Sequence, residues 1–150
     1  MNTSTIKAVK QLSRAVEKME PGMPAAFTAA CAPGDRIPQG DMYITVIDPK
    51  DIPEDYVKCE HPGDADRQLV VGNTQGSRHC LDSLAGVVLY QPPEWGDMES
   101  LRGPAFTITK ERKVLHPVHG DVTVAKGLTV RCDYQRVWDA EQKKARRAQD

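Results

Sequence analysis

Leu128-Thr129-Val130-Arg131-Cys132-Asp133-Tyr134, near the end of the chain, alternates apolar and polar side chains position by position. Successive side chains of a β-strand point to opposite faces of the sheet. The alternation therefore predicts a strand with one buried face and one solvent-facing face. Because such a strand needs partners, the rest of the chain should supply further strands.

Six more short runs of this kind precede it, and proline, glycine or other turn residues separate nearly all of them. They are Met42 to Ile47, Gln68 to Val71, Gly86 to Tyr90, Ala105 to Thr109, Lys113 to Leu115 and Asp121 to Ala125. Short connections at Lys110-Glu111 and Ala125-Lys126-Gly127 predict two hairpins. We therefore expect a mainly β protein, a single small β-barrel or β-sandwich that is cupin-like in outline.

The flanks of this core domain, residues 41–138, have a different composition. In residues 1–20 apolar side chains recur every three or four positions from Ser4 to Met19, which predicts an amphipathic helical arm. That helix would pack on its own domain, pair with a second copy to give a homo-oligomer, or dock on a partner. Residues 21–40 form a Pro/Gly/Ala linker, and residues 139–150 form a polar tail, helical or unstructured.

Composition limits the function. The 150 residues fit one domain, and 20 basic against 21 acidic side chains give a net charge of −1, so no overall field draws the protein to nucleic acid. No run approaches the roughly 18 apolar residues of a membrane helix, and we expect a cytoplasmic protein. The four cysteines lack a Cys-x-x-Cys pair, which predicts reduced thiols.

Three of the four histidines lie in two turn-like stretches, His79 in one and His116 and His119 in the other. If the turns meet, three imidazoles could bind zinc or iron, with Asp121 or Asp82 as a further ligand or as a hydrogen-bond acceptor. Cys80 could take part in a mixed site. The alternative is that these histidines are turn residues hydrogen-bonded to the backbone.

Two other loops are candidate contact sites. The loop from residue 72 to 78 is small and polar, so its amides and Arg78 could hold an anion; its candidate ligand-binding residues are Gly72, Asn73, Gly76, Ser77 and Arg78. Trp95, between acidic residues and after two prolines, is a candidate partner contact. No nucleophile motif surrounds Ser77, Cys80 or Ser83.

Four short motifs between Gln39 and Trp138 resemble a group of small uncharacterised bacterial and phage proteins. Gln39-Gly40-Asp41 is similar to an opening Q-G-D, and residues 72–79 to a G-E-x-T-G-H-x-H loop. His116-Pro117-Val118-His119 is similar to an H-x-E-H turn, and residues 135–138 to a closing Q-R-E-Y. Ser77 and Val118 replace a histidine and an acid of these motifs. The resemblance implies site positions and no activity.

These observations favour a small non-enzymatic binding or interaction protein, phage-related and oligomeric, that presents histidine-bearing loops to a ligand or partner. The alternative is a zinc- or iron-dependent enzyme of hydrolytic or oxygen-using type, at His79, His116 and His119 with Asp121. A second alternative is nucleic-acid binding through the basic residues of the tail. The metal enzyme requires the three histidines to meet, and the binding protein does not.

Overall fold

A computed structural model describes residues 25–71, 79–139 and 144–147, and the side chains up to residue 135. These described residues form twelve strands: β1 (Ala25–Phe27), β2 (Arg36–Gln39), β3 (Met42–Ile47), β4 (Val57–Lys58), β5 (Cys80–Leu81), β6 (Val87–Gln91), β7 (Arg102–Ile108), β8 (Arg112–Leu115), β9 (Val122–Val124), β10 (Thr129–Tyr134), β11 (Arg136–Asp139) and β12 (Lys144–Arg147). Two 3₁₀ turns, Pro49–Asp51 and Asp64–Arg67, complete the described elements. The protein is mainly β, as predicted.

The strands form two main sheets. One has the order β2-β3-β10-β7-β6-β4, and the other has the order β1-β9-β8-β5, with β1 parallel to β9. Neither sheet is closed on itself, so the predicted barrel is not formed. The strands β11 and β12 pair as a separate antiparallel hairpin, where a helix or an unstructured tail was expected. No described helix is long and apolar enough to cross a membrane.

One apolar core joins the two main sheets. Val130 and Cys132 of β10 and Phe106 of β7 come from the larger sheet, and Val114 of β8 and Val124 of β9 come from the smaller one; all five are fully buried. The apolar face predicted for β10 is therefore confirmed. Burial of this apolar surface is the main force that holds the two sheets together.

The two predicted hairpins are wrong. β7 belongs to the larger sheet and β8 to the smaller one, and β9 and β10 are divided in the same way. The connections at residues 109–111 and 125–128 therefore carry the chain from one sheet to the other. Short turns favour hairpins, but the burial of apolar faces in a shared core decides which strands pair.

The structure describes the N-terminal part of the chain from Ala25 onward. The stretch predicted as a linker contributes β1 and β2, and Phe27 and Ile37 from these strands are buried in the core. The helical arm predicted for residues 1–20, with the homo-oligomer contact assigned to it, lies outside the described residues. The run from Gln68 to Val71 forms only an isolated bridge, between Gln68 and Cys80.

Candidate functional site

The turn between β2 and β3 carries two polar side chains to one place. Gln39 ends β2 and pairs with Met42 across a two-residue turn, Gly40-Asp41. Gly40 has φ +60°, a conformation that glycine adopts readily and that tight hairpin turns require. The side chain of Gln39 points inward, since β2 exposes Arg36 and Pro38 and buries Ile37 and Gln39.

His79 lies between these two side chains. Its Nδ1 is 2.9 Å from Gln39 Oε1, and its Nε2 is 3.1 Å from Asp41 Oδ1. The ring is 1% exposed, Gln39 is 1% exposed, and Asp41 is 8% exposed. Each ring nitrogen therefore has a buried protein partner.

The partners determine where the protons lie. Gln39 Nε2 donates to Val114 O at 3.0 Å and Gly120 O at 2.8 Å, which fixes the amide so that Oε1 faces His79. An amide oxygen only accepts, so Nδ1 must donate to it. Nε2 faces an oxygen of the Asp41 carboxylate, which as an anion only accepts, so Nε2 also donates. We infer a buried ion pair in which His79 is an imidazolium and Asp41 a carboxylate.

His116 organises the second histidine stretch. Its Nδ1 accepts hydrogen bonds from the backbone N–H of Val118, at 3.2 Å, and of His119, at 3.0 Å. Asp121 Oδ1 accepts from His116 N at 3.1 Å, and the N–H of Gly120, whose φ is +83°, donates to His116 O. Since backbone N–H groups only donate, Nδ1 carries no proton and the neutral ring is protonated on Nε2.

The two stretches meet through Gln39 and the rings. Besides its bond to His79, Gln39 holds the turn at Gly120 O. The ring centroids of His79 and His116 are 4.6 Å apart, and those of His116 and His119 are 4.4 Å apart. We call Gln39, Asp41, His79 and His116 the histidine cluster. His119, partly exposed, lies at its outer edge.

The three predicted metal-binding histidines are thus brought together, but their nitrogens do not point at one ion. An imidazolium offers no lone pair, so His79 is not a ligand in this arrangement, and Nδ1 of His116 is occupied by backbone donors. Asp121 caps the turn, and Asp82 Oδ1 accepts from Lys113 N. Within the described ranges, no three His, Cys, Asp or Glu side chains are placed to hold one metal ion.

The remaining predicted sites lie apart from the cluster. Gly72, Asn73, Gly76, Ser77 and Arg78 are outside the described residues. Trp95 is half-buried in the connection between β6 and β7, where its backbone N–H donates to Pro92 O at 2.9 Å. Burial raises the pKa of the Cys80 thiol, which is the opposite of the shift that activates a cysteine nucleophile. All four cysteines are free of disulfides, as predicted.

Sequence reasoning did not assign Gln39 and Asp41 to the site, although they are its central members. The available signal was the motif Gln39-Gly40-Asp41. A glycine that permits a tight turn, between two residues whose side chains can hydrogen-bond, brings both side chains to the same end of a hairpin. Their partner is 38 residues or more along the chain, so the contact follows from the packing of the sheets.

Comparison with known proteins adds no assignment. No protein-family model, no curated protein and no solved structure matches this chain. The function is therefore inferred from the geometry of the histidine cluster and of the turn that it holds.

Proposed function

We propose that this protein is a small non-enzymatic interaction protein, and that the turn from His116 to Asp121 is the surface that it presents to a protein partner. The scaffold would be sandwich-like, with the histidine cluster beneath the turn. In this proposal the buried histidines position the turn and do not carry out a reaction. The partner would be another protein or a second copy of this chain.

The observation that carries the proposal is an exposed apolar tip on a tightly held turn. Pro117 and Val118 are exposed at the tip, Val118 to 57%. The backbone around them is fixed by His116 Nδ1, by Asp121 Oδ1 and by the side chain of Gln39. An apolar side chain that is exposed in this way gains free energy when a partner removes it from water.

Rigidity has a thermodynamic advantage for binding. A loop that must be ordered on binding loses conformational entropy, and that loss reduces the affinity. A turn already held in one conformation avoids most of this cost. The histidine cluster, which contains a buried ion pair, supports a structural use of the histidines.

The experiment is site-specific photo-crosslinking in the producing cell. The crosslinking amino acid p-benzoylphenylalanine replaces Val118 in one variant and Val57 in the other, because Val57 on β4 is an equally exposed valine, at 60%. The proposal predicts one discrete adduct from position 118 that position 57 does not give. An adduct of twice the chain mass would identify a second copy as the partner.

A second set of results would contradict the proposal. The same pattern of adducts from both positions, or none from position 118, means that the tip has no dedicated partner. Repeating the experiment with Gln39→Met adds a control for the role of the cluster. If a rigid turn is required, this substitution weakens the adduct from position 118 while the protein stays folded.

The convergence of His79, His116 and His119 favours a second candidate, a zinc- or iron-dependent enzyme of hydrolytic or oxygen-using type. The histidines would have to exchange their present partners for the metal, and His79 would have to lose a proton. Elemental analysis of tag-free protein tests this candidate against a His116→Ala/His119→Ala variant of confirmed fold. Near-stoichiometric zinc or iron that the variant loses would favour the metal enzyme.

Nucleic-acid binding through the tail stays a prediction. The basic residues concerned lie in or beside the hairpin of β11 and β12, and the positions of their side chains are not described. This reading predicts a steeply salt-dependent affinity that disappears when residues 143–150 are deleted. Binding that is absent or independent of salt would rule it out.

A further inference from the structure

The outer face of the larger sheet has a groove that is unrelated to the histidine cluster. Its volume is about 550 Å³, within the range of pockets that hold small molecules. The side chains that form its charged part are Arg36, Arg102, Arg131 and Asp133, beside the ring of Tyr43. The groove lies on the side of β2 and β3 that faces away from the core.

Strand pairing places two arginines on either side of one threonine. Arg36 of β2 lies opposite Thr45 of β3, and Thr45 lies opposite Arg131 of β10. Directly opposed residues of neighbouring strands have Cβ atoms about 5 Å apart, so the two arginine side chains can reach a group above Thr45. Arg36 is already positioned, because its Nε donates to Thr45 Oγ1 at 3.2 Å and its guanidinium lies 5.0 Å from the centre of the Tyr43 ring.

Two of the three arginines of the groove are already paired with carboxylates. Arg102 is held by Asp55 and Glu94, and Nε of Arg131 donates to Asp133 Oδ2 at 2.9 Å. In the described part of the chain, Arg36 forms no ion pair with a carboxylate. Among the described residues, the positive charge of the groove that lacks a carboxylate partner is therefore that of Arg36, and the guanidinium of Arg131 is its neighbour across Thr45.

We propose that this groove binds the phosphate group of a small phosphomonoester, with Arg36 and Arg131 as its ligands. The guanidinium group presents paired N–H donors whose spacing matches two phosphate oxygens. A phosphate dianion supplies an anionic partner for Arg36, and the volume accommodates a ligand of mononucleotide size. The site is on the opposite face of the sheet from the histidine cluster, so it does not depend on the proposed partner-binding turn.

The test is isothermal titration calorimetry of the full chain with adenosine monophosphate, at low and at moderate salt. Adenosine, which lacks the phosphate, is the control ligand. Arg36→Gln removes the positioned guanidinium, and Arg112→Gln on β8 is the matched control because it makes the same change in charge on the other sheet. Circular dichroism and the thermal midpoint confirm that both variants fold.

The proposal predicts that Arg36→Gln weakens binding of adenosine monophosphate by about tenfold or more, the effect of losing a charge-assisted hydrogen bond. Arg112→Gln should leave it within about twofold, and adenosine should not bind measurably. The proposal is overturned if the wild-type protein does not bind the monophosphate, if adenosine binds equally well, or if both variants lose affinity alike. A single-stranded oligonucleotide that binds far more tightly through Arg36 would also overturn it in favour of a nucleic-acid surface.

Discussion

The histidine cluster and the Arg102 cluster, which we define as Asp55, Glu94 and Arg102, both pair carboxylates with cations, but they do so at different depths. In the first, the side chains of His79 and Asp41 are 1% and 10% exposed. In the second, those of Arg102 and Asp55 are 36% and 49% exposed. Water can replace a lost partner in the Arg102 cluster, whereas a buried group that loses its partner keeps the full cost of desolvation.

The number of hydrogen bonds alone would make the Arg102 cluster the more stabilising of the two. Arg102 is in contact with both oxygens of Asp55, at 3.1 and 2.7 Å, and with both oxygens of Glu94. Its guanidinium also lies 5.2 Å from the centre of the Tyr56 ring. His79 makes one bond with each of its two partners. We expect burial to affect the free energy of unfolding more than the number of bonds does. The substitutions of His79, Gln39 and Arg102 below test that expectation.

The largest effect should come from His79→Leu. The substitution removes the imidazolium that contacts the buried carboxylate of Asp41 and the hydrogen-bond donor that contacts Gln39 Oε1. Breaking a buried pair by removal of one partner costs about 3–5 kcal/mol, and we expect a loss of that size in the free energy of unfolding, measured with urea. His61→Leu, at an exposed histidine, should change it by less than about 0.5 kcal/mol. A loss below about 1 kcal/mol for His79→Leu would contradict the assignment of a buried ion pair.

Gln39→Met should have the next largest effect. This change keeps a side chain of similar length but deprives Val114 O, Gly120 O and His79 Nδ1 of their hydrogen bonds. Unsatisfied buried polar groups cost about 1–3 kcal/mol, so we expect a loss near 2–3 kcal/mol in the same urea experiment. Gln135→Met is the matched control because that side chain is exposed. Equal losses from both variants would mean that the side-chain bonds of Gln39 contribute nothing.

Arg102→Met tests the Arg102 cluster, which is the more exposed of the two clusters. Despite its four short contacts, we expect a loss of about 1 kcal/mol or less, since exposed ion pairs are screened by solvent. Arg102 lowers the pKa of Asp55. A carboxyl whose pKa is lower in the folded state stabilises the protein above its unfolded pKa, about 3.9. The difference between wild type and variant should therefore be present at neutral pH and disappear as the pH falls below about 4; a difference that persists in acid would show that it does not come from the charges.

Tyr56→Phe should also have a small effect, and only the change of this effect with pH is confined to the alkaline range. The hydroxyl of Tyr56 donates to Gly103 O at 2.8 Å, and burial raises the pKa of this phenol to about 12. A raised pKa stabilises the folded protein fully below the unfolded value, about 10, and this contribution is lost as the pH rises towards 12. We expect the variant to lose about 1 kcal/mol at neutral pH and the difference to shrink between about pH 10 and pH 12. An absorbance titration of the phenolate at 295 nm checks the pKa directly.

The sequence predicted the fold class because the alternation of apolar and polar side chains along a strand can be seen in neighbouring residues. The strand Met42–Ile47 is observed with the predicted bounds, and the buried face of β10 is the predicted one. The pairing of strands depends on contacts distant in sequence, such as that of β1 with β9. For this reason the chain passes between sheets at two places where short turns suggested hairpins.

The same distinction applies to the site. His79, His116 and His119 were recognised from their residue type and their turn-like surroundings, and the structure brings them together. Gln39 could not be recognised in this way, because a glutamine beside a glycine is ordinarily a surface turn residue. Its burial follows from the inward-facing register of β2, which is set by its pairing with β3. The metal hypothesis depended on the directions of the ring nitrogens, which residue spacing does not determine.

The most direct test of the account is the protonation of the histidine rings, measured by two-dimensional ¹H–¹⁵N NMR of the imidazole nitrogens at neutral pH. We expect both nitrogens of His79 to carry protons and His116 to be neutral, with its proton on Nε2 and none on Nδ1. The resonances are assigned with His79→Leu and with His116→Leu. A neutral His79, or a proton on Nδ1 of His116, would contradict the buried ion pair and the hydrogen bonds that hold the turn.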